Sequence, residues 1–413
     1  MNTEYENWKK NIIIFLSSQT MSLFGSSLVQ YAIMWHVTLT TQSGMMMTLF
    51  ILCGFIPTFI LSPFAGVWAD RYNRKILIIL SDGLIAAATL VMAIVFLMGY
   101  EAIWLLFAMA AIRAIGTGIQ GPAVGAILPQ IVPEDKLTKV NGTNGSIQAI
   151  IMFVSPMVSA ALLTMASLEI IFFIDVVTAA IAIVTLLVFL KIPAHAKASE
   201  GQTTSYLTDF KAGLTYINNH AFLKKFFLYF ALFFVLMAPA AFLTPLQVTR
   251  SFGDDVWRLT AIEIAFSIGM MAGGGIIAWW GGFSNRVHTM TLASIIMGIC
   301  TIALGIMPMF WAYLLFMAIF GVAMPVFNTP TTVLIQERVE GDYLGRIFGV
   351  FGMIATSMMP IGMLIFGPMA DVVRVEWLLA GTGVLMLILG LLLGRNKVLV
   401  KAGEPVVVPE SSD

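Results

Sequence analysis

Residues 66–75 read Gly66-Val67-Trp68-Ala69-Asp70-Arg71-Tyr72-Asn73-Arg74-Lys75. This polar hinge lies between two apolar runs, 44–69 before it and 76–98 after it. About 20 apolar residues suffice to cross the hydrocarbon core of a bilayer. Each run is therefore long enough to span, and the hinge is too short to hold a domain. Two spanning helices joined by a tight basic loop is the expected local structure. Similar runs recur along the chain at 11–35, 102–128, 142–166, 169–190, 222–248, 257–280, 288–307, 310–334, 345–368 and 375–394. With the first two they make twelve spans, which puts both termini on one side of the membrane.

Composition agrees. Of the 413 residues, 59% are hydrophobic and only 11% charged, against about 25% charged in a typical soluble protein. Too few polar residues exist to cover a soluble surface of this size, and a disordered chain is excluded by the same numbers. Basic and acidic residues balance at 22 each, so no charge bias points to nucleic acid. Cys53 and Cys300 both fall inside apolar runs, and no metal-ligand spacing is present. Lys9-Lys10 before an apolar run superficially resembles a signal peptide. That run is too long, and further spans follow, so it reads as a retained first helix.

With the N-terminus placed in the cytoplasm, Arg250, Arg258 and Arg374 alone among Lys and Arg fall outside, and Arg113 is left within a span. Lys224, Lys225, Arg258 and Arg346 stand within the first few residues of their runs, so Arg113 is the one basic residue deep inside a span. Such an excess of basic residues on one side sets orientation with the termini inside. The longest polar interruption, 191–221, contains an amphipathic segment at 206–219. Its apolar positions Leu207, Phe210, Leu214 and Ile217 share one face, and the segment is expected along the membrane surface. The two halves repeat weakly. After the fourth span stands Glu134-Asp135-Lys136-Leu137-Thr138-Lys139, and after the tenth Gly341-Asp342-Tyr343-Leu344-Gly345-Arg346. The reading is all-α and integral to the membrane, with twelve transmembrane helices as two pseudo-symmetric six-helix bundles. The bundles are placed at 1–190 and 222–395, with the linker 191–221 between them and a cytoplasmic tail at 396–413.

The spacing G-x-x-x-D-R-x-x-R-K between spans two and three resembles the signature of the major facilitator superfamily, with Asn73 where Gly is commonest. Asn tolerates the left-handed turn expected there. Within that superfamily the chain is most similar to bacterial macrolide efflux proteins of the drug:proton antiporter group. The likeness rests on Arg113-Ala114-Ile115-Gly116-Thr117-Gly118, Glu263-Ile264-Ala265-Phe266-Ser267, Tyr343-Leu344-Gly345-Arg346 and Gly367-Pro368-Met369-Ala370-Asp371. In span five, Ser155-Pro156 keeps the proline of the antiporter pattern but has Ser where that pattern has Gly. The resemblance implies the major facilitator fold, a bacterial plasma membrane location, and a gating role for Gly66, Asp70, Arg71, Arg74 and Lys75. In it, Asp70 docks on the N-terminus of span eleven, and Gly66 lets a neighbouring helix come close.

Asp82, Arg113, Asp175 and Glu263 lie inside spans. An ionisable residue at the bilayer centre costs up to about 2.5–3.5 kcal/mol on insertion scales and by default marks function. Asp175 and Glu263 are expected to load protons from the outside, with Arg113 biasing their release; a structural pair or interfacial anchors is the alternative. Asp82 is expected to be structural, kept ionised by the basic residues of its own loop. Gln30, Tyr31, Thr117, Gln120 and Asn328 are candidate cavity residues, Thr117 and Gln120 sharing a face with Arg113. No G-x-x-x-x-G-K-[ST] motif occurs, so a proton gradient is the expected energy source and no cofactor is expected, unless an ATP-binding partner protein supplies the fuel. No hydrolase motif occurs on a credible scaffold, so the chain is not read as an enzyme. The function expected is proton-coupled export of an amphipathic drug. The rivals are an exporter of an endogenous metabolite such as a siderophore or lipid, and a transport-inactive receptor or scaffold.

Overall fold

The computed structural model describes residues 7–190 and 206–405. Within them the chain is helical, and no strand occurs. The helices are α1 Trp8–Thr41, α2 Gly44–Arg71, α3 Arg74–Leu97, α4 Ile103–Ile131, α5 Glu134–Met165, α6 Leu168–Phe189, α7 Tyr206–Asn219, α8 Ala221–Phe242, α9 Thr244–Ser251, α10 Val256–Trp280, α11 Arg286–Ile306, α12 Phe310–Arg338, α13 Gly341–Val372, α14 Val375–Arg395 and α15 Lys397–Ala402. Twelve stretches among the described residues are long and apolar enough to cross a membrane, α8 and α9 counting as one.

Helix ends follow local chemistry. Asn73 caps α3 with its side chain accepting from Ile76 N at 3.3 Å, and its backbone is extended rather than left-handed. Asn285 and Asn396 cap α11 and α15 in the same way. Helix α5 begins at Glu134, not 142, because Pro133 stands at the cap and Glu134 and Asp135 fill the first turn, where a carboxylate complements the helix dipole. The seventh span breaks at Leu243, and Pro245, which has no amide hydrogen to continue the ladder, opens α9.

Contact clustering divides the chain into two units. The first holds α1, α2 from Leu49 onward, α3–α6 and residues 255–260; the second holds Gln42–Thr48, α7–α9, α10 from Ala261 onward, and α11–α15. In the first unit α1 packs on α5 and α6, and α3 on α4 and α6. Its core is built on Leu28, Ile33, Met109, Ile171, Phe172 and Phe96. In the second unit α11 lies against α14 and α12. A Cβ on Gly298 would stand 2.8 Å from Leu387 N, and one on Gly383 would stand 2.7 Å from Ile302 N. Phe233 stacks on Phe327 and Phe230 packs on it at a tilt, binding α8 to α12.

The amphipathic helix does more than lie on a surface: α7 packs on α13 and α8. Tyr216 stacks on Tyr343 with ring centroids 4.3 Å apart. The tail is ordered at its start. Arg338 donates to Ala402 O at 2.8 Å and Glu404 O at 2.6 Å, and Asn285 donates to Val400 O at 2.8 Å. The linker segment 191–205 lies outside the described residues.

Candidate functional site

Gly25 decides how α6 meets α1. A Cβ there would stand 2.1 Å from Thr178 Oγ1 and 3.2 Å from Asp175 Cα. A larger residue there would push on Thr178 and on the Asp175 backbone. The approach sets Asp175, fully buried, beside Ser26, whose hydroxyl donates to Oδ1 at 3.2 Å. Opposite, α4 brings Arg113, whose Nη1 meets Asp175 Oδ2 at 2.5 Å. Arg113 Nη1 also donates to Thr89 Oγ1 of α3, and Nη2 donates to Ser26 O at 3.2 Å. The Thr89 hydroxyl has one proton and two acceptors in reach, Ile85 O at 2.9 Å and Asp175 Oδ2 at 3.0 Å. Glycines again permit the packing around Arg113. A Cβ on Gly116 would lie 2.6 Å from Ile85, and one on Gly118 would lie 3.2 Å from Thr58 Cα of α2.

Two turns away, about 10 Å along α3 and α4, is a second polar rung. Asp82 of α3 is 1% exposed. Its Oδ1 accepts from Ser22 Oγ at 2.6 Å and from Gln120 Nε2 at 2.7 Å. Its Oδ2 is buried with no hydrogen-bond partner. Ser22 and Ser26 of α1, Asp82 and Thr89 of α3, Arg113 and Gln120 of α4, and Asp175 of α6 thus form one polar column through the apolar core of the first unit.

Asp82 does not meet the basic residues of its loop. Arg74 Nε donates to Ala69 O at 2.9 Å and its Nη1 to Ala126 O at 2.8 Å. Lys75 Nζ donates to Leu190 O at 2.7 Å and Leu187 O at 3.2 Å, capping the C-terminal end of α6. Those side chains turn toward carbonyls at helix ends, away from a carboxylate two turns into the helix. Arg71 is exposed, and the side chain of Asp70 lies outside the described residues. Gly66 meets nothing within 4 Å of where a Cβ would stand, so the close approach expected there is absent from this arrangement.

That device occurs elsewhere. Gly367 and Asp371, on α13, have the spacing of Gly66 and Asp70. A Cβ on Gly367 would lie 1.7 Å from Thr48 Oγ1 and 2.8 Å from Gly44 O. One turn on, Asp371 accepts from Gly44 N at 2.7 Å, Met45 N at 3.0 Å and Ser43 Oγ at 2.8 Å, and lies 3.3 Å from Arg250 Nη2. Asp371 was not among the candidates, although the repeated Gly-x-x-x-Asp spacing carried the signal.

Glu263 is half-buried and has no hydrogen bond or ion pair among the described residues. Its helix α10 packs on α12, where a Cβ on Gly269 would stand 2.0 Å from Ala318 O. Gln30, Thr117 and Asn328 are exposed, Tyr31 and Gln120 half-buried; Tyr31 packs on Trp35 at 5.6 Å. A cavity of 440 Å³ in the second unit, lined by Gln247, Ser251, Arg374, Glu376 and Trp377 among others, contains none of these residues. No group of three or more His, Cys, Asp or Glu side chains among the described residues is placed to hold a metal ion.

A family profile described as Major Facilitator Superfamily matches residues 11–363. Macrolide efflux protein A of Streptococcus pyogenes is 32% identical over 383 residues, covering 92% of this chain and 94% of that protein. Macrolide efflux protein A of Enterococcus faecalis is 32% identical over 314 residues, covering 76% of this chain and 97% of its own. Among solved structures, the nucleoside transporter NupG superposes with a TM-score of 0.69 at 15% identity, covering 94% of this chain and 98% of that one.

Proposed function

The chain belongs to the major facilitator superfamily of membrane transporters, and from that premise we propose that it exports amphipathic drugs, macrolide-like antibiotics foremost, in exchange for protons by alternating access. The observation that carries this reading is 32% identity to Macrolide efflux protein A across nearly the whole length of both proteins. The polar column of the first unit supports the energy coupling. A carboxylate held in an apolar bundle is far cheaper to bury protonated than ionised, so proton occupancy can bias which conformation is favoured. Asp82, Arg113 and Asp175, with Glu263 on α10, are the groups on which this coupling would act.

The excess of basic residues on one side supports cytoplasmic termini. We assign gating to the 66–75 loop, where Arg74 and Lys75 tie α3 to the ends of α2, α4 and α6. The exposed Gln30, Thr117 and Asn328, with Tyr31 and Gln120, are the polar positions proposed to meet substrate.

Expression in a bacterial host deprived of its own efflux pumps tests the reading. Macrolide tolerance should rise, and purified protein in liposomes should move labelled erythromycin when a pH gradient is imposed. Unchanged tolerance together with no gradient-driven movement would overturn it.

A further inference from the structure

We propose that Asp82, rather than the ion-paired Asp175, is the group in the first unit that binds and releases the transported proton, a refinement that rests on the export reading above. The two carboxylates lie in one polar column and differ in their partners. Asp175 has a fixed cation and a hydroxyl donor against it. Arg113 cannot give up its proton and meets Oδ2 at 2.5 Å, and Ser26 donates to Oδ1 at 3.2 Å. Protonating Asp175 would leave a guanidinium buried and unpaired, which the apolar surroundings oppose.

Asp82 has no such tie. Its donors are the neutral groups Ser22 Oγ and Gln120 Nε2, and both bond the same oxygen. The other oxygen, Oδ2, is buried with no partner. An ionised carboxylate with one bare oxygen in an apolar core is unfavourable, and a proton on that oxygen removes the charge. The ionisable groups on the packed helices reinforce this. Arg113 on α4, the one cation deep in these helices, is already paired with Asp175 on α6 and leaves Asp82 without a cationic partner. Helix α1 contributes Ser22 and has no ionisable side chain but Tyr31 between Lys10 and His36. On α3 itself, Arg74 and Lys75 bond backbone carbonyls.

An exit for the proton is also present. Gln120 is half-buried and one turn from the exposed Thr117, so a rotation of the Gln120 side chain would uncover Asp82 on that side. The step balances simply: the Oδ2–H bond breaks toward water, leaving the carboxylate, and it re-forms from hydronium when the site next meets the proton-rich side.

Infrared difference spectra of the full-length protein in liposomes, recorded as pH is raised, read the carbonyl stretch of a protonated buried carboxyl without any drug present. The wild-type band should be lost in Asp82→Asn, persist in Asp175→Asn, and shift its midpoint in Asp82→Glu. Asp82→Asn should also lose pH-driven erythromycin accumulation while retaining measurable erythromycin exchange at equal pH. A band that persists in Asp82→Asn and vanishes in Asp175→Asn overturns the assignment, as does wild-type accumulation in Asp82→Asn. Should Asp82→Asn not fold, an unshifted midpoint in Asp82→Glu overturns it equally. Absence of erythromycin movement in the wild type overturns the export reading, and the infrared result still decides where the proton binds.

Discussion

Replacing Asp175 by Leu should destabilise the protein far more than replacing Asp175 and Arg113 together. In the wild type the pair is almost wholly out of solvent, with side-chain exposures of 8% for Arg113 and 0% for Asp175. Removing the carboxylate leaves the guanidinium in an apolar bundle with only Thr89 Oγ1 and Ser26 O to bond. Breaking a buried pair in this way costs about 3–5 kcal/mol. The hydroxyls add little, because Thr89 can return its proton to Ile85 O, 2.9 Å away. Replacing both members by apolar side chains of similar volume removes the stranded charge and is about neutral, or stabilising by about 1–4 kcal/mol. For a unit of this size the single variant should melt on the order of 10 °C lower. The assay is heating of the detergent-purified protein followed by size-exclusion chromatography, comparing wild type, Asp175→Leu, Arg113→Met and the double variant. Single variants that melt with the wild type, or a double variant no better than the worse single, would refute the reasoning.

Asp371→Ala removes a charged cap from the first turn of α2, worth about 0.5–2 kcal/mol, so hydrogen exchange at the Gly44 and Met45 amides should quicken by roughly 2- to 30-fold. Unchanged exchange there would show that the cap carries no weight. Gly25→Val should be poorly tolerated, because its Cβ would meet the Asp175 backbone at 3.2 Å. Overpacking of this kind costs about 1–3 kcal/mol, read as a lower melting temperature; a wild-type melt would count against the close approach of α1 and α6. Lys75→Met should lower the melting temperature by about 1–4 °C through loss of the α6 end cap, and a shift indistinguishable from that of a control at exposed Lys136 would remove the capping role. Cysteines placed at Gln42 and Asp254 should react with an impermeant thiol reagent on whole cells, and one at Asn73 only after permeabilisation. Labelling of Asn73→Cys on intact cells would invert the proposed topology.

The spans were legible because lipid imposes one requirement on every segment that crosses it. What hydropathy could not mark is where helix continues beyond the hydrocarbon. Residues 134–141 carry Lys136, Lys139 and Asn141, too polar for a span, yet they form the first turns of α5 because Pro133 and two acidic residues start a helix there. Arg113 and Asp175 stood out as costly wherever they lay. That they are one another's partner, 62 residues apart in sequence, depends on Gly25 and Gly116 letting α1, α6, α3 and α4 close together, and no local pattern states that distance. The partners expected for Asp82 differ from those found for the same reason. Proximity in sequence suggested Arg74 and Lys75 as its partners, whereas helix-end carbonyls compete for those cations and take them.

The Gly-x-x-x-Asp spacing shows how a four-residue interval can carry a mechanical meaning. Residues four apart lie on one helical face, one turn from each other. A glycine there admits a second helix to backbone contact, and an aspartate one turn on then lies level with that helix's first amides. At the C-terminal end of its own helix the carboxylate faces the negative end of the dipole, so it needs another helix's N-terminus or a cation to stabilise it. Gly367 and Asp371 meet both conditions against Gly44 and Met45. At Gly66 the first condition is unmet in this arrangement. Gly66 has open space where a second helix could approach. The gating proposed for the 66–75 loop would consist of such a contact, formed in one conformation and open in another.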